Sequence, residues 1–320
     1  MKKERFELNK LTPVVSLIVM LLVFTVLTKG SMISPYNLSM LIDQSVVLII
    51  ACCGTIFVSA QGRVDLSVGV NCAFSAVIGD LAYRATGSSL IMVVTALLVG
   101  VGIGLVNGIL ISRYKVPSFM ATLAILIGLR GIINYIQSIV SVNYASDAIM
   151  MLSENQIKLP LLILIVLIFW YLFEYTSLGR YCKAIGENEV VASSVGMPVA
   201  RSKIAAYALS GLTAAISCIF LMARLGGTST TMGTFFEMKV MTAIYVGGVL
   251  VRGGSTAKMY KAILGAFIVM IIENGLKIMG YASSEISEFV QGLLLMVILF
   301  LTVFFELRRQ KVKKAAGQEA

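Results

Sequence analysis

Ten apolar stretches alternate with short polar breaks, at roughly 13–33, 38–60, 67–84, 88–112, 118–141, 159–176, 203–226, 238–251, 260–280 and 286–306. Most approach the ~20 residues that a helix needs to cross a hydrocarbon core about 30 Å thick. In lipid every backbone N–H and C=O must be satisfied internally, which helices do. The pattern therefore predicts an all-α polytopic membrane protein with about ten transmembrane helices. Ten spans consume about 200 residues, so a single transmembrane domain over residues 1–320 is expected, with no separate soluble domain. The first stretch follows the basic head Met1-Lys2-Lys3-Glu4-Arg5, as in a signal peptide. No small-x-small cleavage site follows its apolar core, so it reads as a retained span.

Two places fit a simple helix poorly. Only Gln61-Gly62-Arg63-Val64-Asp65-Leu66 separates the second and third stretches, and the short eighth stretch holds Gly247-Gly248, then Arg252-Gly253-Gly254. Short, glycine-interrupted apolar segments in both halves of a chain point to a substrate path. Broken or re-entrant segments are thus expected near 61–69 and 247–256, the alternative being two tight cytoplasmic turns. Gly100, Gly104 and Gly108 recur every fourth residue, a stripe that lets a neighbouring helix approach closely.

Composition agrees. Hydrophobic residues make up 58% and charged residues 13%, against about 45–50% and 25% in soluble domains. The chain has no histidine, which argues against zinc hydrolysis and Ser-His catalysis. Cys52, Cys53, Cys72, Cys182 and Cys218 form no C-x-x-C pair and read as reduced, buried small hydrophobes. No metal or cofactor is expected. The net charge of +10 is explained by its distribution. With the N-terminus inside and ten crossings, nineteen lysines and arginines fall on the inner side and six on the outer. That is the positive-inside bias. Both termini, including the basic tail 307–320, are expected in the cytoplasm, and nucleic acid is not an expected partner.

Asp43, Gln44, Asp80, Arg130, Asn134, Gln137 and Glu273 lie within apolar runs. A charge at mid-helix costs about 2.5–3.5 kcal/mol on insertion scales, so these side chains should face a cavity or one another. Glu273-Asn274 beside Gly275 suits either path lining or a hydrogen bond between helices. No G-x-x-x-x-G-K-[ST] loop occurs, so the chain does not use ATP through a phosphate loop of its own.

Gly62-Arg63-Val64-Asp65-Leu66-Ser67-Val68-Gly69 resembles the G-x-[IV]-D-L-S-V-G signature of ribose-type (monosaccharide) ABC-transporter permeases. The resemblance continues through Asn107-Gly108, Val116-Pro117-Ser118-Phe119-Met120-Ala121-Thr122-Leu123, Leu178-Gly179-Arg180-Tyr181 with Ala184-Ile185-Gly186-Glu187-Asn188, and Gly247-Gly248, Gly253-Gly254, Gly265-Ala266 and Asn274-Gly275-Leu276. Val190 departs from it, since an acidic residue is common there. The resemblance implies a bacterial inner-membrane permease, often a homodimer, served by a separate ABC ATPase and an extracytoplasmic solute-binding protein. It also implies alternating access with no catalytic residues, and a sugar as the transported solute.

In that reading the cytoplasmic loop 177–202 couples to the ATPase through Gly186, Glu187, Asn188, Glu189, Ala192 and Gly196. Independently, Asn188 can cap a short helix with Glu189 in its first turn, and Gly196 and Pro198 stop it. Ala192 is small where a partner surface should approach. Gly62, Asp65, Ser67, Gly69, Gly247, Gly248, Gly253 and Gly254 are the signature and gating candidates. Asn71, Asn107, Phe119, Asn134, Gln137, Glu273 and Asn274 could line the path, since sugars need hydrogen-bonding groups and aromatic faces. Two further readings are an ion- or proton-coupled secondary carrier of a small polar solute, titrating Asp43, Asp65 or Glu273, and a scaffold without transport. Buried carboxylates argue against the scaffold.

Overall fold

The computed structural model describes residues 2–140, 145–281, 286, 288–290, 292–297 and 300, with side chains from Pro13 onward. The elements are α1 (Lys2–Leu27), α2 (Pro35–Ser59), α3 (Val68–Thr86), α4 (Ser89–Ser112), α5 (Ser118–Ile139), a single turn α6 (Asp147–Met150), α7 (Asn155–Glu174), α8 (Ser177–Glu187), α9 (Glu189–Ser194), α10 (Val199–Leu225), α11 (Phe236–Val246) and α12 (Met259–Ile278). No strand occurs among the described residues.

Six helices, α2, α4, α5, α7, α10 and α12, are long and apolar enough to cross a membrane. They occupy the second, fourth, fifth, sixth, seventh and ninth apolar stretches. The other four stretches differ for visible reasons. The third forms the 19-residue α3, made more polar by Asp80 and Arg84 near its end. The eighth forms only the 11-residue α11, which stops before Gly247 and the left-handed Gly248 (φ 87°). The first is the apolar part of α1, from Pro13 to Leu27. Most of the tenth, and the basic tail 307–320, lie outside the described residues.

Local sequence sets the helix ends. Ser34 caps α2 by accepting from the Asn37 amide, with Pro35 in the first turn where its missing N–H costs nothing. Left-handed Gly87 and Gly226 terminate α3 and α10.

Packing sorts the helices into a centre and a rim. Within the apolar window, 89% of α2, 72% of α12 and 61% of α10 is buried, against 17% of α5 and of α7. The rim helices present Ile127, Ile163, Leu164 and Leu167 outward, as lipid-facing helices do. The glycine stripe of α4 lies on α10. A Cβ on Gly104 would collide with the Tyr207 carbonyl, and one on Gly108 would sit 2.7 Å from the Ile204 Cα. Close backbone approach through small residues is what associates helices in lipid, where burial against tails yields no hydrophobic gain.

Most polar groups in the apolar runs do face one another. Asp43 pairs with Lys158 and, at 3.5 Å, with Arg224. Asp80 pairs with Arg84 at 3.2 Å. Glu273 pairs with Lys239 and Lys277, each at 2.8 Å. Asn274 donates to Asn37 at 2.8 Å and Arg130 to the Met232 carbonyl at 2.9 Å. Asn134 departs from the expectation and is exposed. All five cysteines are free and buried.

Candidate coupling and gating site

The break between α2 and α3 is buried from Asp65 to Ser67 and organised by one carboxylate. Asp65 Oδ1 accepts from the Ser67 amide at 2.9 Å and the Ser67 hydroxyl at 2.6 Å, and Oδ2 accepts from Ser210 of α10 at 2.7 Å. Three donors with no acceptor suit an ionised carboxylate. Asn107 of α4 donates to the Ser67 hydroxyl at 2.8 Å, and Tyr207 donates to the Val64 carbonyl at 2.9 Å. Asn71 reaches the Gly100 carbonyl at 3.1 Å. Asp65 thus fixes the turn into α3 and pins it to α10, while Asn107 pins it to α4.

Three segments far apart in sequence cross at this break through their main chains. A Cβ on Gly186 would collide with the Ala60 carbonyl oxygen and lie 2.5 Å from the Gly254 nitrogen. One on Gly253 would lie 2.5 Å from the Gly62 nitrogen, and one on Gly62 would collide with the Arg252 carbonyl. The Gly254 amide donates to the Ala60 carbonyl at 2.8 Å. Gly62 (φ 67°), Gly253 (φ 76°) and Gly254 (φ 86°) are all left-handed, so glycine is required there for conformation as well as space. Glu187 completes the junction by accepting from the Ser255 amide at 2.8 Å and hydroxyl at 2.6 Å. These hydrogen bonds hold its carboxyl below the usual carboxylate range. The two breaks and the end of α8 therefore meet at one point.

From this junction projects the short helix α9. Asn188 Oδ1 accepts from the Val190 and Val191 amides at 3.0 and 3.1 Å, the cap expected from sequence. Left-handed Gly196 (φ 78°) closes the helix, with its amide on the Ser193 carbonyl and the Met197 amide on the Ala192 carbonyl. Glu189 ties α9 to the first break, accepting from Arg63 Nη2 at 2.8 Å and from Lys203 Nζ at 2.5 Å. Partial burial pushes the Glu189 pKa up, but Lys203 and Arg63 more than offset it and leave the group below its ordinary value. Ala192 lies differently from the expectation. It is 3% exposed and packs into the chain's own body, so the outward side of α9 and its C-cap presents Ser193 and Ser194 together with Val190, Val191 and Val195, the valines at 74, 57 and 66%.

A family model described as "Branched-chain amino acid transport system / permease component" matches residues 37–299, a range that includes both breaks and α9. The chain belongs to this permease family. The L-arabinose transport system permease protein of Escherichia coli (strain K12) is 33% identical to this permease over 269 residues, covering 82% of this chain and 80% of that protein. The L-arabinose ABC transporter permease protein of Azospirillum brasilense is 31% identical, covering 90% and 85%. The ribose import permease protein of Escherichia coli (strain K12) is 29% identical, covering 86% of each. With its six long apolar helices the permease is a multi-pass membrane protein.

The path-lining candidates of the permease divide into three groups. Asn107 joins the Asp65 network through Ser67, and its Oδ1 is buried with no partner among the described residues, while Asn71 beside it bonds the Gly100 carbonyl and Ser75. Phe119 and Asn134 are exposed on α5, while the buried amide atoms of Gln137 have no partner among the described residues. Glu273 lines a cavity of about 250 Å³ with Gln44, Arg224, Thr231, Thr234 and Lys239. Asn274 instead bonds Asn37 and joins α12 to α2. At the second break, Gly247 leaves no room for a Cβ beneath the Lys261 carbonyl, and Gly248 accepts from Lys261 Nζ at 3.0 Å.

Sequence reasoning missed Glu237. It is 5% exposed, and its Oε2 has no hydrogen-bond partner among the described residues. It lies so close to Gly69 that a Cβ there would collide with it. Its signal is faint, a lone acid just ahead of the eighth apolar stretch.

Proposed function

We propose that the permease forms the translocation path of a binding-protein-dependent ABC importer for a pentose- or hexose-like sugar. A separate cytoplasmic ATPase supplies energy, an extracytoplasmic binding protein delivers the sugar, and a second permease, a copy of this chain in the simplest case, completes the path. The relatives named above transport ribose or arabinose, which favours a sugar over the branched amino acids in the family description. The observation that carries the reading is the crossing of Gly62, Gly186 and Gly253, which joins a short projecting helix to both interruptions in the spans. ATPase closure pulling on α9 then moves both breaks, and the path opens alternately to either side. The exposed valines of α9 are the surface offered to the ATPase, in place of Ala192.

The ten-span arrangement with both termini cytoplasmic belongs to this proposal. Reporters fused after Ala320 and within 143–157 should fall on opposite sides of the membrane. The decisive experiment for function is reconstitution. Vesicles holding permease, ATPase and binding protein should accumulate labelled sugar when ATP is inside, and vesicles holding the permease alone should not. Uptake by the permease alone would favour the secondary carrier. Against that reading, Asp43 and Glu273 are each engaged by two cations and Asp65 by three donors, which leaves no free carboxylate among them.

A further inference from the structure

Beside α9 lies a cleft of about 650 Å³ bordered by the ends of α4 and α9 and the start of α10. Four cations line it, Arg63, Lys115, Arg201 and Lys203, against the single carboxylate Glu189. Arg63 and Lys203 share that carboxylate, while Lys115 and Arg201 are exposed and form no ion pair among the described residues. Arg63 also keeps a buried Nε without a partner, so its guanidinium has donors left beyond Glu189. Lys115 is held in the left-handed region (φ 54°), a conformation that costs a non-glycine residue energy and is enriched at functional positions. Pro198, at the head of the 27-residue α10, supplies no side-chain cap; the Val199 amide is taken by the Met197 carbonyl at 2.8 Å, which leaves the Ala200 and Arg201 amides of the first turn beside the same cleft. An uncapped helix N-terminus favours anions, and an arginine fork matches phosphate oxygens two at a time.

We propose that this cleft binds a phosphoryl group and that the bound anion weakens the hold of α9 on the first break. The excess positive charge, the arginine fork and the helix terminus fit a tetrahedral dianion better than a single carboxylate. The volume accommodates a small phosphate ester. An anion seated there competes with Glu189 for Arg63 and Lys203, the two groups that tie α9 to the signature segment. A cytoplasmic phosphorylated metabolite would in this way restrain import, and an anionic lipid headgroup would set a constant tone. Only the cytoplasmic location rests on the orientation proposed above. The binding itself does not, because both faces of a nanodisc are open to solvent.

The test is calorimetric titration of inorganic phosphate into the full chain in phosphatidylcholine nanodiscs. Wild type should bind, and the double variant K115E/R201E, changed at two exposed positions that hold no ion pair, should bind about tenfold more weakly or not at all. Glu189→Gln removes the internal competitor and should bind several-fold more tightly. Repeating the wild-type titration in phosphatidylglycerol nanodiscs assigns the source. Suppressed phosphate binding means the headgroup occupies the cleft, and unchanged binding means a soluble phosphate ester does. No phosphate binding by wild type, or equal affinity in wild type and K115E/R201E, overturns the proposal. So does loss of ATPase co-purification by K115E/R201E without any phosphate binding in wild type, since the cleft is then a protein contact.

Discussion

Asp65→Asn separates a structural carboxylate from a proton carrier, and the geometry gives the size of the effect. Asparagine keeps one oxygen, which can go on accepting from the Ser67 amide and hydroxyl, now 2.9 and 2.6 Å from Oδ1. Its nitrogen then faces Ser210, whose hydroxyl can accept from it and turn its own hydrogen toward Thr55 Oγ1, 3.3 Å away. All three original donors keep an acceptor. The loss is the difference between charged and neutral hydrogen bonds, about 1–2 kcal/mol. Asp65→Ala is another matter, because the Ser67 amide and the Ser67 hydroxyl both lose their acceptor. An unsatisfied buried group costs about 1–3 kcal/mol, so the alanine variant should lose about 3–5 kcal/mol and much of its abundance. The assay is uptake per molecule with thermal unfolding in detergent. Asp65→Asn should remain within about tenfold of wild type, since about 1.4 kcal/mol is a factor of ten. Complete loss of uptake in Asp65→Asn at normal abundance, with a wild-type rate that titrates with pH, would refute the reasoning and favour a proton carrier.

Gly186→Ala pushes a methyl into the Ala60 carbonyl and strains the 2.8 Å hydrogen bond from Gly254. It should cost about 2–4 kcal/mol from overpacking plus a weakened bond, read as a lowered melting temperature and loss of sugar-stimulated ATP hydrolysis. Val191→Glu alters an exposed side chain, so folding should change by no more than about 0.5 kcal/mol, while co-purification of the ATPase is lost. Retained co-purification would remove α9 from the contact. Ala192→Arg should instead destabilise the permease itself, because position 192 is buried. The pKa of Glu189 is depressed by Lys203 and Arg63 in the folded state, so its ion pairs contribute fully above the unfolded carboxylate pKa of about 4.3 and are lost as pH falls through the lower folded value. A spin label at Val191→Cys should therefore stay immobile from neutral pH down to about pH 4, with mobility rising only below that. Adding Glu189→Gln should make it mobile throughout.

Hydrophobic periodicity carries over into structure wherever a stretch is long and glycine pairs do not interrupt it, as in α2, α4, α5, α7, α10 and α12. It overstates the eighth stretch, since apolar residues run on through Leu250 and Val251 while Gly247 and Gly248 have already ended α11. Composition in a window does not register backbone conformation. The cap at Asn188 and the stop at Gly196 were legible because both act within a few residues. The inward turn of Ala192 was not, because burial on one face of a six-residue helix depends on what lies across from it. Gly62, Gly186 and Gly253 stood out singly, yet nothing local shows that they touch, and a contact between main chains leaves no complementary pair of side chains to find. Glu237 was missed for a similar reason, its neighbour being a glycine 168 positions earlier.

The glycine crossing also bears on leakage. If the two interruptions in the spans moved independently, thermal motion would at times relax both together, and the membrane would lose solutes through a path open at each end. Here both are in close main-chain contact with Gly186, and the Gly254 amide bonds the Ala60 carbonyl directly, while the Glu187 side chain adds a further tie to Ser255. If these interruptions gate the path as proposed, neither should wander while the other stays fixed, and the permeability barrier becomes a property of the crossing rather than of either interruption alone.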